Sequence, residues 1–239
     1  MGAGAAEGRY TEELRSLASG IWEAQHAHPF VQGIADGTLD AERFRHFVRQ
    51  DYVYLIEYAR LLSLACARAP RLAWMRRFSE LAGSVLGREM DVHRELAATW
   101  GIGAEELEYE RATPTTRAYT EFLLKTAALG DFAELVAALL PCMWGYAEIG
   151  RALAPRARGG EGGAGHEGGA AREHPYRVWI ELYASPEFAA QAGWCRALAD
   201  ELAAGLDETG RARMLEAFLQ SSRHELAFWD MAWRLEGQA

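Results

Sequence analysis

Residues 40–67 read DAERFRHFVRQDYVYLIEYARLLSLACA, and this stretch decides the fold class. Phe44, Phe47, Tyr54, Tyr58, Leu61 and Ala65 recur at helical spacing, with Asp51 filling the remaining place on the same face. Asp40 stands ahead of them as an N-cap, and no Gly or Pro interrupts the run. The stretch therefore predicts a long amphipathic helix with a carboxylate in the middle of its inward stripe.

The same period extends outward over most of the chain. Further helices are predicted at 11–27, 71–99, 114–129, 132–154, 175–184, 187–204 and 208–235. Asp131 caps the helix that begins at 132, and Thr113-Pro114 and Ser185-Pro186 each place a cap before a proline at the first helical position. Pro155 to Glu173 breaks the pattern, with seven glycines in 19 residues. It reads as a flexible surface insertion. Too few helices follow it to bury a second core, so the expectation is one all-α domain over residues 1–239 carrying this insertion.

Composition agrees. Half of the 239 residues are hydrophobic, and Ala, Leu, Glu and Arg outnumber the β-branched residues. A net charge of −9 and a single lysine, Lys125, argue against nucleic acid as a partner. No run of about 18 apolar residues stands out, so no membrane span is expected. The first residues lack the basic start and apolar core of an export signal. Three widely spaced cysteines, Cys66, Cys142 and Cys195, then suggest reduced thiols and a cytoplasmic location.

Chemistry is sought where a polar residue occupies an apolar stripe. Asp51 is the first case, since a carboxylate buried there costs several kcal/mol unless paired. The bland alternative is an aspartate that anchors a neighbouring helix. The stripe Leu135, Leu139, Cys142, Tyr146, Ile149, Leu153 carries a thiol, with Pro141 bending the helix beside it. A lone free cysteine is most often a small packing residue. The stripe Met214, Phe218, Ser221, Glu225, Phe228, Ala232, Leu235 adds a second carboxylate. Three helices each aiming one reactive group inward predict a shared pocket suited to acid–base and nucleophilic work.

Glu89 and His93, four residues apart, could share a metal with Glu57, Glu148, His174 or His224. Di-iron bundles need repeated Glu-x-x-His pairs, which this chain does not repeat, so no metal is expected. His26, His28 and His46 read as surface or helix-end residues.

Six segments resemble the TenA family of thiaminase II type aminopyrimidine hydrolases. They are His28-Pro-Phe-Val-Gln-Gly-Ile-Ala-Asp-Gly-Thr-Leu39, Gln50-Asp-Tyr-Val-Tyr54, Pro114-Thr-Thr-Arg-Ala-Tyr119, Leu140-Pro-Cys-Met-Trp-Gly-Tyr146, Trp179-Ile-Glu-Leu-Tyr-Ala-Ser185 and Ser221-Ser-Arg-His-Glu-Leu-Ala-Phe-Trp-Asp-Met-Ala232. The resemblance implies a haem-oxygenase-like helical fold, a homotetramer, and no metal or cofactor. It implies Cys142 as nucleophile, Asp51 as the group that holds an aminopyrimidine ring, and Glu225 as the proton-exchanging acid. Tyr54, Tyr119, Tyr146, Tyr183 and Phe228 match residues that stack on the ring or hydrogen-bond around the thiol. The insertion departs from the family pattern and puts the presentation of Tyr183 in question.

The implied reaction converts 4-amino-5-aminomethyl-2-methylpyrimidine to the hydroxymethyl compound with loss of ammonia, and extends to thiamin. It needs a thiol whose neighbours lower its pKa and a Glu225 that starts protonated. Two alternatives are an oxygenase or oxidase of the same fold acting on another heterocycle, and a non-catalytic pyrimidine-binding regulator.

Overall fold

The computed structural model describes residues 9–159 and 174–237, which are helical almost throughout, with no strand among the described residues. The chain begins with α1 (Tyr10–Leu17), α2 (Ser19–Ala27) and α3 (Pro29–Asp36). The predicted helix at 11–27 is thus two, broken at Ala18. The helix α3 was not predicted, although its start and stop signals are present. His28 Nδ1 accepts from Phe30 N, Pro29 opens the first turn, and Gly37 closes it in the left-handed conformation at φ 69°.

The opening stretch forms α4 (Ala41–Arg68), with Asp40 Oδ1 accepting from Glu42 N and Arg43 N at 2.9 and 3.2 Å. The predicted helix at 71–99 contains a fault. After α5 (Leu72–Ser84) comes a π-helical turn, Val85–Glu89, before α6 (Met90–Ala98). A π turn adds a residue to the local ladder and re-aims the side chains that follow. A short α7 (Ala104–Glu108), also unpredicted, leads to α8 (Pro114–Leu129). Thr113 Oγ1 caps α8 by accepting from Thr116 N, with Pro114 next in line.

Next is α9 (Phe132–Gly159), the helix at the centre of the protein. Asp131 Oδ1 accepts from Glu134 N while Glu134 Oε2 accepts from Asp131 N, a reciprocal cap. Every residue from Leu135 to Ala147 is buried, because α9 packs against α4, α8 and α3 and also against three later helices. These are α10 (Arg177–Tyr183), α11 (Pro186–Ala204) and α12 (Glu208–Arg234). Burial all round requires an apolar helix. Accordingly Phe132–Arg158, with a window of mean hydropathy 1.3, is long and apolar enough to cross a membrane, contrary to the sequence expectation. Its window is 83% buried inside the protein, the setting of a core helix.

Two further expectations need correction. Pro155 to Gly159 continue α9 instead of opening a loop; the rest of the expected insertion, 160–173, lies outside the described residues. His46 is buried, not a surface residue, and its imidazole pKa is lowered chiefly by burial.

Candidate active site

The three residues picked from their stripes converge. Asp51 from α4, Cys142 from α9 and Glu225 from α12 are all buried, and the charges of Asp51 and Glu225 both act on the Cys142 thiol. Tyr54, Tyr119, Tyr146, Tyr183 and Phe228 are buried around them. Tyr54 lies 4.9 Å from Tyr119 and 5.8 Å from Phe228 between ring centres, and Tyr146 lies 4.8 Å from Tyr183. Spacings of this kind are those of favourable aromatic pairs.

Pro141 shapes the thiol's surroundings. It has no N–H to give the carbonyl four residues back, and bulk at that turn opens the ladder. Two neighbouring carbonyls accept side-chain hydroxyls: Ser221 Oγ donates to Ala138 O at 2.7 Å, and Tyr58 Oη to Leu139 O at 2.9 Å. These bonds tie α12 and α4 to α9 one turn before Cys142. Each is worth roughly 1 kcal/mol net.

At Glu225 the hydrogen bonds have a direction. Tyr119 Oη lies 2.6 Å from Glu225 Oε1 and 3.0 Å from Ser221 Oγ. The Ser221 hydrogen is committed to Ala138 O, and the one phenolic hydrogen cannot serve two acceptors. Tyr119 Oη donates to Glu225 Oε1, and Ser221 Oγ donates to the Ala138 carbonyl, so the two hydroxyls link the carboxyl to α9. Burial, partly opposed by the Tyr119 hydrogen bond, raises the Glu225 pKa to about 8. This carboxyl is held as an acid at neutral pH.

Asp51 does not face the pocket alone. Its Oδ2 is 2.7 Å from His93 Nε2, and His93 Nδ1 is 2.9 Å from the Glu89 carbonyl. Both ring nitrogens meet acceptors, so an ionised Asp51 is matched by a doubly protonated imidazole. Burial opposes that charge, but the Asp51 hydrogen bond and charge outweigh it and raise the His93 pKa. Asp51 is then both an anchor for α6 and a carboxylate whose other oxygen remains for a ligand.

The thiol contradicts expectation. Burial, then the Glu225 charge, drives the Cys142 pKa well above its ordinary value, and only the Tyr54 hydroxyl lowers it. That hydroxyl is buried and has no oxygen or nitrogen partner. Burial is the first cause and nearby carboxyl groups add to it; a positive group entering beside the thiol favours the thiolate.

Two residues of this cluster were not selected as site residues from the sequence. Glu89 accepts a hydrogen bond from Tyr183 Oη at 2.8 Å, and its pKa is raised to about 7, first by burial. His93 was weighed only as a metal ligand. Among the described residues no group of three His, Cys, Asp or Glu side chains is arranged to hold a metal ion. The pair's separation of four residues was the available signal; the π turn that brings both to α4 leaves no mark in hydrophobic spacing.

Comparison with known proteins gives concordant results. The family model described as TENA/THI-4/PQQC matches residues 15–235. An aminopyrimidine aminohydrolase of Halalkalibacterium halodurans is 44% identical over 225 residues, covering 94% of this chain and 95% of the relative. A TenA homologue from P. horikoshii OT3 superposes with a TM-score of 0.82 at 31% identity, covering 95% of this chain and 99% of that one. A Shewanella denitrificans domain with a haem-oxygenase-like fold superposes with a TM-score of 0.71 at 14% identity, which bears on the fold alone.

Proposed function

This chain belongs to the TENA/THI-4/PQQC family, and from that premise we propose that it is an aminopyrimidine aminohydrolase of thiaminase II type. It replaces the exocyclic amine of 4-amino-5-aminomethyl-2-methylpyrimidine with hydroxyl, releasing ammonia, and cleaves thiamin at the corresponding bond. Relatives of this name that match over nearly the whole chain support the reading. The single observation that carries it is the convergence of the buried Cys142, Asp51 and Glu225 side chains from three helices, with Asp51 Oδ2 held 2.7 Å from His93 Nε2.

The parts divide as follows. The Asp51 oxygen not used by His93 receives the 4-amino N–H, with the ring lying between aromatic faces. Glu225 gives its proton to a ring nitrogen, which makes the ring electron-poor and supplies the positive charge the thiol lacks. The Cys142 thiol passes its proton to the departing amine and adds to the ring as thiolate, and the C–N bond breaks with its electron pair leaving on ammonia. Water then bonds to the exocyclic carbon, the thiolate leaves, and the ring nitrogen returns its proton to Glu225. A cationic substrate also suits a pocket rich in carboxylates.

Purified protein supplied with the aminomethylpyrimidine should form the hydroxymethyl compound and ammonia, with Cys142→Ser as control. Turnover unchanged in the serine variant would reject the nucleophile. Stoichiometric iron with no pyrimidine turnover would favour an oxygenase. The proposal also includes a cytoplasmic homotetramer, in keeping with the family resemblance; sedimentation analysis measures the assembly.

A further inference from the structure

The carboxyls of Glu225, Glu89 and Asp51 all act on the Cys142 thiol, and the two glutamates are each joined to a tyrosine hydroxyl. Glu225 pairs with Tyr119 and Glu89 with Tyr183. The mechanism above uses the first pair fully and leaves the second unused. Three observations set the Glu89 pair apart.

The first is placement. Glu89 is the last residue of the π-helical turn, a device that interrupts an otherwise continuous helix and costs regular hydrogen bonding. Second, Glu89 carries its hydrogen bond inward, to a tyrosine that packs on Tyr146 in the aromatic wall. Third, Glu89 also lines a small dimple of about 20 Å³ at the protein surface, together with Ser84, Arg88, Glu187 and Gln191. A space of about 10–15 Å³ suffices for one water molecule. Glu89 therefore touches the pocket on one side and a water-sized opening on the other.

We propose that Glu89 is a proton-relay and positioning residue, which acts through Tyr183 to carry the proton released by the attacking water out to the surface dimple. The proposal rests on the aminohydrolase reading. In the step concerned, the water oxygen supplies the electron pair of the new C–O bond. One water proton passes to Tyr183 Oη as the Tyr183 proton passes to the Glu89 carboxylate. Thiolate departure with its electron pair restores the aromatic ring, and the ring-nitrogen proton returns to Glu225. Glu89 then yields its proton to water in the dimple while Cys142 takes one up from solvent as the product leaves, so the cycle ends with Glu89 ionised and Cys142 a thiol.

The groups around Glu89 are compatible with exchange near neutrality. Asp51 and Tyr58 face it from α4, His93 from α6, Cys142 from α9, Tyr183 from α10 and Glu187 from α11, with Arg88 beside it in the chain. Burial raises its pKa and His93 lowers it, leaving it at about 7. A relay that accepts from tyrosine must start as carboxylate, so turnover falls as pH drops through that value.

The test is Glu89→Gln, which keeps an acceptor for Tyr183 but cannot carry the proton. The expected result is kcat lower by about 100-fold, KM changed by less than threefold, and loss of the acid limb near pH 7. Glu89→Asp should recover much of the turnover together with that limb, which a merely structural role would not predict. A Gln variant with kcat within twofold of the parent, or with the acid limb intact, overturns the relay, as does an Asp variant no better than Gln. If the parent protein itself does not hydrolyse the aminopyrimidine, the functional reading fails separately. Infrared titration without substrate then decides: a protonated-carboxyl band that titrates near pH 7 and vanishes in Glu89→Gln supports the relay, and its absence from the parent overturns it.

Discussion

The two glutamates beside the thiol differ in what surrounds them, although each is buried and bonded to a tyrosine. Glu225 sits deep in α12, and its chain of hydroxyls ends on a backbone carbonyl of α9, inside the protein. A proton on that chain has nowhere to go except to a ligand. Glu89 ends a π turn, and beyond it lies a surface dimple. The difference teaches that burial alone does not define a catalytic acid. Where the hydrogen-bond chain terminates decides whether a carboxyl stores a proton or passes it on.

Removing the Cys142 thiol should have the largest effect. Cys142→Ala is expected to lower kcat by at least about 1,000-fold, near the upper range of a single catalytic group, while aminopyrimidine binding measured by calorimetry persists. Next comes the stored proton. Glu225→Gln should cost about 100- to 1,000-fold in kcat. It should also abolish the alkaline limb of the pH profile, because the acid form is needed and is lost as pH rises through about 8. A limb that survives in this variant would shift the acid role to another residue.

The same variant has the opposite effect on stability. The folded-state pKa of Glu225 is raised, so the parent protein pays for ionising it as pH climbs from the unfolded value towards about 8. Below the unfolded value there is no penalty. Gln cannot ionise, and its amide oxygen can still accept from Tyr119. Chemical denaturation should therefore find Glu225→Gln more stable than the parent at pH 8, on the order of 3 kcal/mol, with the advantage vanishing near pH 4. The smallest effect is expected at Tyr119→Phe. It interrupts the stored-proton chain but leaves Ser221 bonded to its carbonyl, costing about 1–2 kcal/mol of stability.

How much could be seen beforehand is clearest along α4. Phe44 to Ala65 announced both the helix and its buried carboxylate, because a stripe of period 3.6 exposes any polar intruder. The same logic found Cys142 and Glu225. It could not find His93. Asp51 was read as either a helix anchor or a ligand-holding group, and the structure makes it an anchor with one oxygen to spare. Nor could stripes show the sign of the thiol's pKa shift, which depends first on burial and then on carboxyls from α4, the π turn and α12. The short helices α3 and α7 escaped the periodicity, and only the capping signals of α3 marked it.

One contact bears on how Tyr183 is presented. Gly150 lies where α9 meets the end of α10; a Cβ there would come within 2.6 Å of the Tyr183 carbonyl carbon and 2.7 Å of Ala184 N. Backbone thus rests on backbone at the point that delivers Tyr183 to Glu89. Any side chain at position 150 would push the end of α10 off α9 and carry the Tyr183 hydroxyl with it. The reach of a hydroxyl is set here by the missing atoms of a glycine on another helix.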